Sequence, residues 1–291
     1  MAFRRARLTT HPSSRAVNVF DQLKIDTHCH LFDPINFPYA RDVAYRPQGQ
    51  EIGSQAYFEQ LMDCFNVRHA VLVEPNSGYN GDNRCLLHAL DTGRGRFKGI
   101  AVVPADIRGE ALDALRLRGV IGVAFNVAMY GVDHYAGIVP LLRLLAELGL
   151  WAQFQVEGNQ LLELLPMIER VPGVRLVFDH HGRPVVAQGI DQPGFQTLLA
   201  LGREGRAIVK LSGEAKFSTA PFPFDDTRPY TEALVQAFGL EHCVWASDWP
   251  FLRAPFRLDF GVLLKRWEHM FTPAERDQLM NRSARTLFSF E

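Results

Sequence analysis

The stretch KIDTHCHLFDP, residues 24–34, opens as an apolar strand and ends on a polar His-Cys-His triplet. Side chains alternate across a strand, so His28 and His30 share one face and Cys29 takes the other. Cys29 is therefore expected against a helix layer, away from any site. The two histidines carry meaning only if the fold gathers strand ends at one functional surface.

Seven further β-rich runs follow, at 69–75 (HAVLVEP), 97–103 (FKGIAVV), 120–126 (VIGVAFN), 150–156 (LWAQFQV), 174–180 (VRLVFDH), 207–213 (AIVKLSG) and 243–249 (CVWASDW). Several are apolar almost throughout, as parallel strands covered on both faces are. Between them the apolar residues fall at helical spacing, at 54–66, 83–92, 110–117, 138–149, 159–171, 193–204, 229–239 and 258–270. In the clearest, Leu141, Leu144, Leu145 and Leu148 form a stripe that stops at Gly149. A last helix, 273–288, starts at the Thr272-Pro273 signal. Eight alternations with right-handed crossovers predict an α/β fold, a single distorted (β/α)8 TIM barrel with a C-terminal helix over 23–291. No G-x-G-x-x-G follows the first strand, which counts against a dinucleotide-binding open sheet. Residues 1–22, with Arg4, Arg5, Arg7 and Arg15, have no apolar core of a secretory signal and are expected to form a disordered extension.

In such a barrel, polar residues at the C-terminal ends of strands read as chemistry. His28 and His30 end the first strand, Asp179-His180 the sixth, followed by His181, and Asp248 the eighth. Parity groups His180 with Phe178 and Leu176 as barrel-lining positions and Asp248 with Ala246 and Val244; Asp179 and Ser247 are expected to point away. His69, His88, His134, His242 and His269 lie in helices, loops or strand starts and are expected to be structural or solvated.

The chain has 291 residues, a formal net charge of -1 and 47% hydrophobic residues, the composition of an ordinary globular protein. No long basic run marks a nucleic-acid surface, and no apolar run reaches the roughly 20 residues of a membrane span. Four scattered cysteines, Cys29, Cys64, Cys85 and Cys243, without a C-x-x-C pair, are expected to be reduced thiols in a cytoplasmic protein.

Taken together, DTHCH, FDHHGRP and ASDWP resemble the motifs of the amidohydrolase superfamily, and Asp179, His180, Gly182 and Pro184 with Ser247 to Pro250 most resemble its branch of 2-pyrone-4,6-dicarboxylate lactonases and L-fuconolactonases. The resemblance runs from about Lys24 to the C-terminus. Founding members bind one or two metals, with a bridging Lys or Glu on strand 4; this chain has AFN (124–126) there, and Gln155, a poor metal ligand, on strand 5. His28, His30, His180 and Asp248 remain. They suffice for one zinc with an open position, and they are also the set that the lactonase branch uses without metal. The expectation is that no cofactor is required, with one Zn2+ as the alternative.

What the resemblance implies is a hydrolase that opens a small lactone, a carboxylic ester, by water attack. Asp248 would act as general base and then acid, with His28, His30 and His180 polarising the carbonyl. The dicarboxylate enzyme grips its substrate with arginines near strand 4, but residues 123–131 (VAFNVAMYG) hold none. The substrate is therefore expected to be a less charged lactone, sugar-derived or from aromatic breakdown. Asn76, Ser77, Asn126, Tyr130 and Gln155 are candidate rim contacts, and Lys216 or Arg253 could take a single carboxylate. The alternatives are a mononuclear zinc amidohydrolase or decarboxylase of the same superfamily, and an inactive barrel with a binding role. Neither nucleic acid nor membrane is an expected partner.

Overall fold

The computed structural model describes residues 17–291. Each expected strand forms: β1 Lys24–Cys29, β2 Val67–Val73, β3 Phe97–Ala101, β4 Val120–Asn126, β5 Trp151–Gln155, β6 Arg175–Phe178, β7 Ala207–Leu211 and β8 Cys243–Trp245. All pair in parallel and in chain order. The ring closes beyond β8, where Cys29 bridges Trp249, the Asp248 N–H donates to His28 O at 2.9 Å and the His30 N–H donates to Trp249 O at 2.8 Å. Helices alternate with the strands throughout, so the chain is a TIM barrel.

Two apolar clusters divide the core. Ile25, Val71, Ile100, Trp151, Val177, Ile208 and Val244, from seven strands, fill the barrel interior. The second cluster packs the opposite strand faces against the helices; it holds Cys29, Leu72, Phe154, Phe178 and Trp245 together with Leu145, Leu164 and Leu234. Cys29 thus lies on the helix side, as alternation predicts. The phase of β6 is the reverse of the expectation: Val177 lines the interior, and Leu176 and Phe178 face the helices. Both faces of a parallel strand are apolar, so alternation alone cannot choose its phase. Pairing does: Val177 lies beside Gln153 and Ile208 on its two neighbours.

The C-terminal segment, Pro273–Asp277, Gln278–Arg282 and Ser283–Leu287, seals the barrel floor by contributing Ala284, Phe288 and Phe290 to the interior cluster. Lys98 Nζ donates to Phe288 O at 2.6 Å and to Ser289 O at 2.8 Å, which anchors the end of the chain. The expected extension is already packed from residue 17: Val19 is buried, its N–H donates to Glu268 Oε1 at 2.7 Å, and its carbonyl accepts from Lys24 Nζ at 2.6 Å. The basic residues Arg4, Arg5, Arg7 and Arg15 lie outside the described residues. Among the described residues, no helix is long and apolar enough to cross a membrane, and Cys29, Cys64, Cys85 and Cys243 are free thiols.

Phe288 meets Trp151 edge-on, with ring centroids 5.6 Å apart. Truncation in so closed a space leaves a cavity, so Phe288→Ala should cost about 3–5 kcal/mol in urea unfolding. A loss under about 1 kcal/mol would show that the floor does not depend on this plug.

Candidate active site

A cleft of about 560 Å³ opens at the C-terminal ends of the strands, and both His28 and Asp248 line it. Its first wall depends on an irregularity. Ile25 faces the interior and so does His28, three residues on, a step that strict alternation forbids. A register shift between Asp26 and Cys29 inserts the extra residue, since Asp26 pairs with Ala70 and Cys29 with Leu72. The bulged segment is held at its edge, where Asp26 accepts from the Ser247 N–H at 2.9 Å and from the Ser247 hydroxyl. Ser247 is thereby occupied away from the cleft.

Three imidazole Nε2 atoms converge on Asp248 Oδ1, those of His180 at 3.6 Å, His30 at 3.9 Å and His28 at 4.0 Å. His180 arrives by a route that strand parity did not foresee. β6 ends at Phe178, and His180 has φ +51, a left-handed turn that swings its ring in, where Nδ1 lies 2.9 Å from Ser212 Oγ. Asp248, at φ +59, is also left-handed; such strain in non-glycine residues concentrates at functional sites. Gly213 makes room for His180, since a Cβ there would come within 2.7 Å of the ring at φ +65. His181 turns away, with Nδ1 3.1 Å from Ser212 O and Nε2 3.0 Å from Thr231 Oγ1.

Asp179, expected to point away, faces the interior instead, as the true phase of β6 requires. Its Oδ1 lies 3.1 Å from both His28 Nδ1 and Lys210 Nζ, and its Oδ2 accepts from Gln153 Nε2 at 3.0 Å. Lys210 also donates to Gln153 Oε1 at 2.7 Å and lies 3.2 Å from His28 Nδ1. This fully buried group beneath His28 escaped the reading of the sequence, although a lysine in the middle of the apolar run AIVKLSG was a visible signal. Burial and then the Lys210 charge hold His28 well below the ordinary histidine value, and burial likewise lowers His180 and His30 despite the attraction of Asp248. All three are neutral at pH 7. Burial pushes the Asp248 carboxyl up, but His180, Lys216, His30 and Arg183 together outweigh it and keep the group below the ordinary aspartate value. With the histidines uncharged, Lys216 and Arg183 are the cations that hold it ionised at neutral pH.

Of the candidate rim residues, Asn76, Ser77, Asn126, Gln155, Lys216 and Arg253 all line the cleft. Tyr130 is not among the lining residues, and its hydroxyl donates to Asn80 Oδ1 at 3.3 Å. Asn126 Oδ1 caps a short helix, Val127–Tyr130, by accepting from the Met129 N–H at 3.1 Å. Gln155 is placed to accept from both terminal nitrogens of Arg183 at 3.1 Å. Lys216 Nζ lies 3.8 Å from Asp248 Oδ2 and donates to Leu252 O. Arg183 and Glu74 complete the wall, and neither was singled out from the sequence, although Arg183 sits within FDHHGRP.

His28, His180 and Asp248 each offer a ligand atom within 4.8 Å of the others, so the donor types and spacing suit one divalent ion. Around that point, however, stand Lys210 against His28, Lys216 against Asp248, and Arg183.

The chain is similar to several enzymes of known description. It is 28% identical to the 2-pyrone-4,6-dicarboxylate hydrolase of Comamonas testosteroni, over 87% of this chain and 86% of that one. It is 27% identical to the 4-sulfomuconolactone hydrolase of Hydrogenophaga intermedia, over 77% and 74%. Among solved structures, a probable 2-pyrone-4,6-dicarboxylic acid hydrolase from Acinetobacter baumannii, with citric acid bound, superposes with a TM-score of 0.82 at 25% identity, covering 92% of this chain and 99% of that one. The amidohydrolase family model matches residues 25–290, nearly the whole of the barrel. With a closed parallel barrel and its histidines and aspartate gathered at the C-terminal rim, this chain belongs to the amidohydrolase family.

Proposed function

We propose that this protein hydrolyses a small lactone, with Asp248 as the proton-transfer group. The observation that carries this is the convergence of three neutral imidazoles on one ionised carboxylate, at 3.6 to 4.0 Å, inside a cleft. Asp248 takes a proton from water, and the resulting hydroxide adds to the lactone carbonyl carbon. The carbonyl oxygen becomes an oxyanion. As the ring C–O bond breaks, the proton on Asp248 passes to the departing ring oxygen, which leaves a hydroxy acid. The lactone hydrolases to which the chain is similar support this class of reaction.

The hydrogen-bond geometry supports different parts for the histidines. His30 Nδ1 lies 2.8 Å from Val73 O, a group that only accepts, so Nδ1 carries the proton and Nε2 is an acceptor. His28 Nε2 is 3.2 Å from that acceptor, a distance at which its N–H would donate. His28 Nδ1 itself lies between Asp179 Oδ1 at 3.1 Å, which only accepts, and Lys210 Nζ at 3.2 Å, which only donates; we take the tautomer in which it accepts from Lys210, the charge of Asp179 being balanced by the same ammonium. In this reading the bound carbonyl oxygen takes the His28 N–H from His30, which frees the His30 lone pair for the attacking water. A divalent ion held by His28, His180 and Asp248 would supply Lewis-acid polarisation when bound. The three surrounding cations favour the metal-free reading, as does Asn126 where a bridging ligand would end β4.

Two of these cations, together with Arg253, indicate an anionic substituent on the substrate. Arg183 has its buried Nε without a partner among the described residues, and it lines the cleft together with Lys216 and Arg253. A single carboxylate beside the lactone ring would meet these groups.

Asp248→Asn should lower kcat by about 10²- to 10⁴-fold with the fold intact, followed by a pH indicator on a panel of lactones; an active Asn variant would exclude Asp248 as the base. Chelator treatment should leave activity unchanged, whereas stoichiometric zinc and loss of turnover on its removal would establish the zinc-dependent alternative. Because the three histidines titrate below 6.5, kcat/KM should stay level as the pH falls through that value. A limb centred there would show that one of them charges normally. Lys210→Met leaves Asp179 buried and uncompensated and should cost about 3–5 kcal/mol of stability, most of it restored by adding Asp179→Asn; denaturant unfolding of the pair decides this.

A further inference from the structure

On the loop that leaves β2, Glu74 lines the cleft with only 3% of its surface exposed. Its backbone N–H donates to Ile100 O at 2.8 Å, which fixes its position between β2 and β3. Its carboxyl is not fixed in this way. Oε1 is sealed from solvent with no hydrogen-bond partner, and no cation pairs with it among the described residues. Folding seldom leaves a buried carboxyl unsatisfied, and where one lines a binding cleft a ligand group is the missing partner. Burial and then the field of Asp82 raise this carboxyl well above the ordinary glutamate value and so favour its protonated form. A protonated carboxyl offers one donor and acceptor capacity, which is the complement of an alcohol hydroxyl. It gives no charge attraction to a second substrate cation and no counterion to a second carboxylate.

The cleft is therefore asymmetric. Arg183, Lys216 and Arg253 follow β6, β7 and β8, and β6 stands four strands from β2 in either direction round the ring. Beside Glu74 the wall continues with Asn76 and Ser77, both neutral.

We propose that Glu74 is a specificity-determining residue that hydrogen-bonds an alcohol hydroxyl of the substrate, so that the preferred lactone is hydroxylated on the β2 side and carries its one carboxylate on the cationic side. This rests on the lactone activity proposed above. It favours a polyhydroxy-acid lactone over a planar, doubly charged one.

The test measures binding, not turnover, by calorimetry in the Asp248→Asn background, which leaves the lactone ring closed. Two probes are used: a hydroxylated lactone monocarboxylate and its deoxy counterpart. Adding Glu74→Leu should weaken the hydroxylated probe about tenfold or more and leave the deoxy probe unchanged, while the isosteric Glu74→Gln should retain most of the affinity. A Glu74→Leu variant that binds both probes as before, or loses both equally, overturns the proposal alone. If neither probe binds with Glu74 intact, the lactone assignment fails and this proposal fails with it. Thermal melts of the Leu and Gln variants, expected to match the parent, separate a binding defect from a folding one.

Discussion

The structure turns on the seam where β1 meets the chain beyond β8. A parallel barrel has to close, and here closure is made by backbone bonds between His28 and Asp248 and between His30 and Trp249. The residues that join the ring are the ones to which the proposed chemistry falls. Two histidines from one strand and the carboxylate from the other are thus brought side by side by the same bonds that remove the sheet edges. The bulge in β1 and the Asp26 to Ser247 contacts hold that seam in register. The arrangement of His28, His30 and Asp248 is therefore supported by the whole barrel and not by a mobile loop.

Beneath the seam, the barrel interior changes character along its axis. Its floor is dry, made of Ile25, Val71, Trp151, Val177 and the aromatic plug from the C-terminus. Its upper layer is a closed network of Lys210, Asp179, Gln153 and His28. Burying these charges is costly in itself, and such networks persist where each partner is satisfied. Here the network does something an apolar layer could not. It sets both a donor, Lys210, and an acceptor, Asp179, against His28 Nδ1 from below, and so fixes the orientation of that ring. The cleft above it is cationic on the β6 to β8 side and neutral on the β2 side.

Much of this was legible along the chain. Eight short apolar runs, each followed by a helical stripe, specified the alternation, and the polar ends of the first, sixth and eighth specified where chemistry would gather. The separation of Cys29 from His28 and His30 needed only strand alternation. The phase of β6 was not legible, because a strand apolar on both faces offers no contrast, and Asp179 was consequently turned outward. His180 reached the site through a left-handed turn that its residue type does not announce. Lys210 and Glu74 were visible as charged residues within or beside apolar runs, but a lone charge has no assigned partner until other strands are set beside it.

By itself, then, the sequence determined the barrel and the four residues that crowd its rim, since periodicity and strand-end polarity are local properties of the chain. Only the tertiary structure decided how those residues are charged and aimed. Their protonation depends on burial and on Lys210, Lys216 and Arg183, which come from other strands, and electrostatic effects of that kind depend on distances through space that no local pattern encodes.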